Sequence, residues 1–317
     1  MDTTRRVLSG GGLGLLMLPV SGCSPGPAPS SFPEGQDILS TALELDLASL
    51  TATADVLVQA DDSSGVIVLD VGGLTIDSVR FEGAPIDFDV TGRLLSLPVS
   101  GVGDAVSVEI AYSFPERAET DFDGWMPSLG VSFVWPSSCG NLFPCDPDPT
   151  DGVTFSMDVR GADPELTAVY PTSTVGEAPS YMPAVAVGPY ERLALGATEA
   201  GTSLSAWYLP GPDALTSALA GTSHLVAAFD FFERTYGAYA FGPEAGTVEV
   251  DWGSDSWGGM EHHPFFHVAR FDFGNEEAQV HEAAHGWFGD GVRIACWEDF
   301  VLSEGTTTYI TARAREK

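Results

Sequence analysis

The sequence has almost no lysine. Of its 13 basic residues 12 are arginine, and the single lysine is the last residue, against 45 acidic residues and a net charge of −32. A surface with that balance repels phosphate backbones and anionic lipid headgroups, which argues against a nucleic-acid partner and against electrostatic docking to a membrane. It attracts cations, such as metal ions and ligands carrying a free amine. Cysteine is scarce too: there are four, with no Cys-x-x-Cys pair, so a zinc-ribbon site has no ligands. After residue 23 no apolar run reaches the roughly 18 residues that a membrane-spanning helix needs. No internal repeat and no long low-complexity tract is present, and neither a repeat array nor a globally disordered chain fits. What is there is a 44% apolar content, enough for a sizeable core, in 317 residues, the length of roughly two ordinary domains.

The first 23 residues read as a targeting segment. Arg5 and Arg6 precede an apolar stretch from Val7 to Val20 that is too short to span a bilayer. Val20-Ser21-Gly22-Cys23 resembles the bacterial lipobox, in which the cysteine is acylated and becomes the mature N-terminus. The expectation is a lipoprotein signal peptide over 1–23, lipidated at Cys23, and a Pro-, Ser- and Gly-rich flexible tether over 24–36. It places the protein in a bacterial cell envelope, with the lipid as its only membrane attachment. A cleaved secretory signal with an incidental cysteine is the alternative. In an oxidising compartment Cys139 and Cys145 either close a small disulfide loop or stay as buried thiols, and Cys296 is left over.

From 37 to 209 the pattern is β. Leu43, Leu45 and Leu47 alternate with acids, as do Ile86, Phe88 and Val90, and Val106, Val108 and Ile110 alternate with Ser107 and Glu109. Gly72-Gly73, Gly101, Pro115 and Pro136 punctuate these runs. After Pro210-Gly211-Pro212 the period changes. Leu225, Ala228, Phe229 and Phe232 predict a helix over roughly 214–236, and Thr247–Val250 predicts a strand. Asn275, followed by Glu276 and Glu277, predicts a capped helix running to about Trp287. Another helix is expected from Ser303 to about Ala314.

The chemistry is carried by His281-Glu282-Ala283-Ala284-His285. Residues four apart share one helix face, so both imidazoles can ligate one Zn²⁺ while Glu282 projects beside the metal. Five of the six histidines fall between 262 and 285, and Glu304 follows His285 after eighteen intervening residues. Position 291, where metzincins place a third histidine, is glycine. His263 and His267 are also four apart, but Pro264 argues against a helix there, and ordinary polar packing is expected rather than a second metal. Asp146, Asp148 and Asp151 have the wrong spacing for an EF-hand and read as a turn.

His281-Glu-x-x-His285, eighteen residues and Glu304 together resemble the gluzincin aminopeptidases related to membrane alanyl aminopeptidase (aminopeptidase N). Gly258-Gly259-Met260-Glu261-His262 is similar to that family's Gly-x-Met-Glu-Asn motif, and Phe143-Pro144-Cys145-Asp146-Pro147-Asp148-Pro149 to its Phe-Pro-Cys-x-Asp-x-Pro turn. The resemblance covers about 130–317. It implies an α+β multidomain fold: an N-terminal antiparallel β domain over 37–209, then a thermolysin-like α/β zinc peptidase domain over 210–317, incomplete at its C-terminal half. It also implies that His281, His285 and Glu304 are ligands of one Zn²⁺ per chain and that Glu282 is the general base. Gly259, Met260, Glu261 and His262 then bind a peptide substrate with a free N-terminus, Glu261 holding the α-amine.

Three features depart from the family pattern. His262 replaces the motif's asparagine, and Val134-Trp135-Pro136 stands where a second amine-binding residue is expected, which leaves an endopeptidase or epoxide-opening relative as a rival. The family's catalytic tyrosine and remaining helices would lie beyond Lys317, so the chain reads as truncated after the third ligand. A non-catalytic zinc- or peptide-binding lipoprotein is therefore the alternative function.

Overall fold

A computed structural model describes residues 32–33, 35–59, 65–99, 105–253 and 258–316. The signal segment with Cys23 and most of the tether lie outside the described residues. The alternating segments form strands. In β1 (Asp37–Asp46) Ile38, Leu43 and Leu45 are buried, and in β2 (Thr51–Gln59) Ala52, Ala54, Val56 and Val58 face the core while Thr51, Asp55 and Gln59 are exposed. There follow β3 (Val66–Asp70), β4 (Thr75–Phe81), β5 (Ala84–Pro85), β6 (Asp89–Thr91), β7 (Leu94–Pro98) and β8 (Val106–Ser113). The N-terminal region continues with β9 (Gly124–Met126), β10 (Val131–Phe133), β11 (Thr154–Arg160), β12 (Thr167–Val169) and β13 (Ala186–Gly188).

These strands make a six-stranded sheet in the order β11-β1-β2-β8-β4-β5, a three-stranded sheet β3-β7-β6 and a four-stranded sheet β12-β13-β10-β9. Pairing is antiparallel, as expected, except that β11 runs parallel to β1, with Ser40 opposite Thr154 and Asp46 opposite Arg160. A parallel neighbour requires a long return path, which the chain between 46 and 154 supplies. Cys139 and Cys145 are joined by a disulfide, and among the described residues no cysteine is free, so the left-over thiol expected at Cys296 is not found.

The second region contains β14 (Glu191–Ala197), β15 (Ser203–Tyr208), α1 (Ala214–Gly221), α2 (Leu225–Tyr236), β16 (Glu244–Val250), β17 (Gly259–Met260), β18 (Phe265–Ala269), α3 (Glu276–His285) and α4 (Phe300–Arg315). Its sheet has the order β14-β15-β16-β18-β17, with β15–β16 and β16–β18 parallel. The first parallel pair is closed by the crossover through α1 and α2. β15 therefore pairs with β16, beyond residue 210, and β14 joins the same sheet through β15, whereas the sequence reading put both in the N-terminal β domain. Their extended pattern resembles that of the strands before them, and only the tertiary pairing separates the two groups.

Phe229, Phe232, Tyr239 and Trp287 bring α2 against the end of α3, with Trp287 lying 5.0–5.5 Å from the other three rings. This aromatic packing, all of it buried, fixes the face of α3 that remains for chemistry.

Candidate active site

Helix α3 begins where the sequence predicts. Asn275 Oδ1 accepts from Glu277 N at 3.0 Å, and Glu276 and Glu277 occupy the positive first turn. The helix presents His281 and His285 side by side, with their Nε2 atoms 3.3 Å apart. Helix α4 brings Glu304 to the same point: its Oε2 is 3.1 Å from His281 Nε2 and its Oε1 is 3.5 Å from His285 Nε2. One ligand atom from each of the three residues lies within 4.8 Å of the others.

His285 is oriented from behind. Its Nδ1 donates to Phe288 O at 3.1 Å, which leaves Nε2 unprotonated and aimed at Glu304. Thr307 Oγ1, from α4, donates to the same carbonyl at 3.0 Å. Burial holds the imidazole of His285 below its ordinary pKa. Burial pushes Glu304 up, but the hydrogen bond from His281 and the neighbouring His285 outweigh it and keep its carboxyl below the usual range.

Glu282 lies between the two histidines in sequence and is 5% exposed. Its side chain rests on the backbone of β17: a Cβ added at Gly259 would fall 2.5 Å from Glu282 Cγ, so glycine is required for this approach. Burial, then the charges of Glu261, Glu304 and Asp290, push Glu282 well above the carboxylate range. Crowded buried carboxylates of this kind are what a divalent cation relieves.

Met260, Glu261 and His262 are buried. Glu261, Glu282 and His285 also bring ligand atoms within 4.8 Å of one another. The chain from β17 into His262 is thus gathered beside the histidine pair. His262 itself is 1% exposed and packs edge-on to Phe133, at 5.7 Å, and to His267, at 5.0 Å. His263 is packed as expected: Tyr239 OH donates to its Nδ1 at 2.7 Å, and its Nε2 donates to Glu282 O at 2.9 Å. Asp146 and Asp148 form the predicted turn, accepting from the backbone N–H groups of Asp148 and Thr150.

Three further residues near the site were given no role from the sequence. Tyr181 OH donates to Glu261 Oε1 at 3.0 Å across 80 positions of chain. Asp290 is fully buried beside Glu261 and Tyr181. Trp297 stacks edge-on against Tyr181 at 5.7 Å and donates from Nε1 to Pro147 O at 2.9 Å. Asp290 and Trp297 fall within segments 281–290 and 297–309, which resemble the family's zinc helix and third-ligand segment, but the resemblance assigned them no role; Tyr181 belongs to no such segment.

The profile of the Peptidase family M1 domain matches residues 274–317, the segment that carries α3 and α4. Leucine aminopeptidase 2 of Aspergillus fumigatus is 25% identical over 300 residues, covering 80% of this chain and 46% of the relative. Leucine aminopeptidase 2 of Aspergillus oryzae is 27% identical over 296 residues, again 80% of this chain and 46% of the relative. Among solved structures, the M1 zinc metallopeptidase from Deinococcus radiodurans superposes with a TM-score of 0.77 at 20% identity, covering 89% of this chain and 72% of that one. The aminopeptidase A of Legionella pneumophila, solved with aspartic acid, gives 0.74 at 22% identity, covering 90% and 38%. The matched segment and these relatives support the resemblance to the aminopeptidase N-like gluzincins of peptidase family M1.

The fold is the expected one, a β-rich N-terminal domain followed by an α/β region that carries the histidine helix. The chain spans about half the length of the curated relatives it matches. The expected location as a lipid-anchored protein of a bacterial cell envelope is corrected. The curated relatives are leucine aminopeptidases of fungi, not bacterial envelope lipoproteins, and among the described residues no helix is long and apolar enough to cross a membrane.

Proposed function

We propose that the chain carries the catalytic centre of a zinc-dependent aminopeptidase, a hydrolase that removes N-terminal residues from peptides. The observation that carries this reading is the convergence of His281, His285 and Glu304 within 4.8 Å, beside a buried Glu282. The donor set fits the metal: two imidazoles and a carboxylate are the ligands of a catalytic zinc, and they leave a fourth position open. His285 has its second nitrogen already engaged by Phe288 O, as a ligand histidine requires. One zinc per chain is held by these three residues in this reading. When bound, it supplies Lewis acidity towards the scissile carbonyl and makes water a stronger acid.

The chain's own residues do the rest. Glu282 takes the proton of the attacking water and delivers it to the leaving amine. Its buried position beside Gly259 holds the carboxylate in one place and excludes bulk water. β17 is the edge strand of its sheet, so Gly259 and Met260 have a free backbone edge along which an extended peptide can lie, with His262 completing the wall. Glu261 pairs with the substrate's α-ammonium, which restricts cleavage to the N-terminal bond. The leucine aminopeptidase relatives support peptide substrates with a free N-terminus, and the M1 metallopeptidase from Deinococcus radiodurans has been solved with Tyr-Ser-Ala. We place the border of the α/β domain near residue 190, because β14 and β15 join its sheet.

The test is Glu282→Gln in the full-length protein. Turnover of an amino-acid anilide should fall by about 10²–10⁴-fold with zinc content unchanged. A variant that retains full activity contradicts the reading. Peptide binding without hydrolysis by the unaltered full-length protein supports the non-catalytic alternative instead.

A further inference from the structure

The buried carboxylate of Glu261 is held from the other domain. Its Oε1 accepts a hydrogen bond from Tyr181 OH, and Tyr181 lies in the connection between β12 and β13 of the N-terminal region. We infer that Tyr181 is a positioning residue for the amine-binding carboxylate: its hydroxyl fixes the orientation of Glu261 and leaves the second oxygen for the substrate's ammonium. The inference rests on the reading of Glu261 given under Proposed function.

Four observations carry it. Glu261 is 4% exposed, so its carboxylate cannot rely on water for hydrogen bonds and needs a fixed donor. Tyr181 is equally buried, at 4%, so its hydroxyl is not exchanged for solvent. The ring is clamped, because Trp297 packs edge-on against it at 5.7 Å, and Trp297 is itself tied to the N-terminal region through Pro147 O. Finally, neither carboxyl oxygen of the buried Asp290 has a hydrogen-bond partner among the described residues, so the phenol's one proton is committed to Glu261. Burial, reinforced by Glu261 and Asp290, pushes Tyr181 well above its ordinary pKa, in keeping with a hydroxyl that does not ionise in the working range.

The arrangement bears on the departure at Val134-Trp135-Pro136, where the family pattern places a second amine-binding group. Trp135 is 49% exposed and packs on Phe133 at 4.9 Å, so it offers a ring and not an anion there. With a single carboxylate facing the ammonium, the aim of that carboxylate carries more of the discrimination between free and blocked termini. A charged hydrogen bond of this sort is worth about tenfold or more in affinity.

The experiment compares an amino-acid anilide with its N-acetyl counterpart, using full-length wild type, Tyr181→Phe, Glu261→Gln and the double variant. In the wild type the free-amine substrate should be strongly preferred; equal cleavage of both would overturn the Glu261 reading itself. Given that preference, Y181F should raise KM for the free-amine substrate about tenfold or more, with a smaller change in kcat and unchanged zinc content. In the E261Q background Y181F should have no further effect on KM. If Y181F leaves the free-to-blocked preference intact, or has the same effect with and without Glu261, the inference is overturned. Should Y181F not fold, a ring-fluorinated tyrosine at 181 keeps the shape and changes only donor strength; an unchanged KM ratio there overturns it equally.

Discussion

Asp151 shows what burial does to a single carboxylate. It is 8% exposed, accepts from Ile38 N at 3.3 Å, and faces Asp146 and Asp37. Burial, then Asp146, push its carboxyl from 3.8 up to about 8. In the folded protein Asp151 therefore keeps a proton at pH values where the unfolded chain has lost it. The sign follows: its contribution to stability is greatest below pH 3.8 and declines as pH rises towards about 8. Asp151→Asn keeps an oxygen for Ile38 N and removes the titration. The wild-type melting temperature should fall between pH 5 and pH 8, and the variant's should fall less; parallel curves would contradict this origin. The sequence showed Asp146, Asp148 and Asp151 only as a turn, because nothing in their spacing says that β1 covers them. The residues of the proposed zinc site could be read for the opposite reason: His281, Glu282 and His285 lie within one and a half turns of one helix, where spacing alone sets geometry.

Among the elements, α3 carries most of the proposed site, and its two ends differ in legibility. The start was readable from Asn275, Glu276 and Glu277, each acting within its own turn. The end was not. Gly286 N bonds to Ala283 O at 3.2 Å, so the last turn tightens and the helix stops at His285 rather than running to Trp287. Glu282 O is instead satisfied by His263 Nε2, which comes from the segment before β18. His263 is thus a bracket on the backbone of the proposed general base, held in one tautomer by Tyr239. His263→Phe leaves a buried carbonyl and a buried phenol unpaired. It should lower the unfolding free energy by about 1–3 kcal/mol in chemical denaturation. A variant as stable as the wild type would show that the bracket carries no load. The helix expected over 214–236 similarly divides into α1 and α2, because Thr222 Oγ1 turns back to Ala218 O at 2.6 Å and ends the first.

At the scale of the whole molecule, the site belongs to both regions. The N-terminal region contributes Tyr181 to Glu261, Phe133 to His262 and Pro147 O to Trp297, so the walls of the proposed amine pocket depend on how the two pack. The β-then-mixed order of the fold was legible from periodicity, since alternation and 3.6-residue spacing are local. The membership of β14 and β15 was not, since a parallel pair formed through two helices leaves no local trace. The central claim is that His281, His285 and Glu304 hold the metal, although Glu261, Glu282 and His285 form a second group of the same compass. Anomalous diffraction at the zinc edge, on crystals of the full-length protein, separates the two directly. The account predicts one peak per chain, about 2.0–2.2 Å from His281 Nε2, His285 Nε2 and a Glu304 oxygen. A peak coordinated by Glu261 and Glu282, or no peak in zinc-loaded crystals, would contradict it.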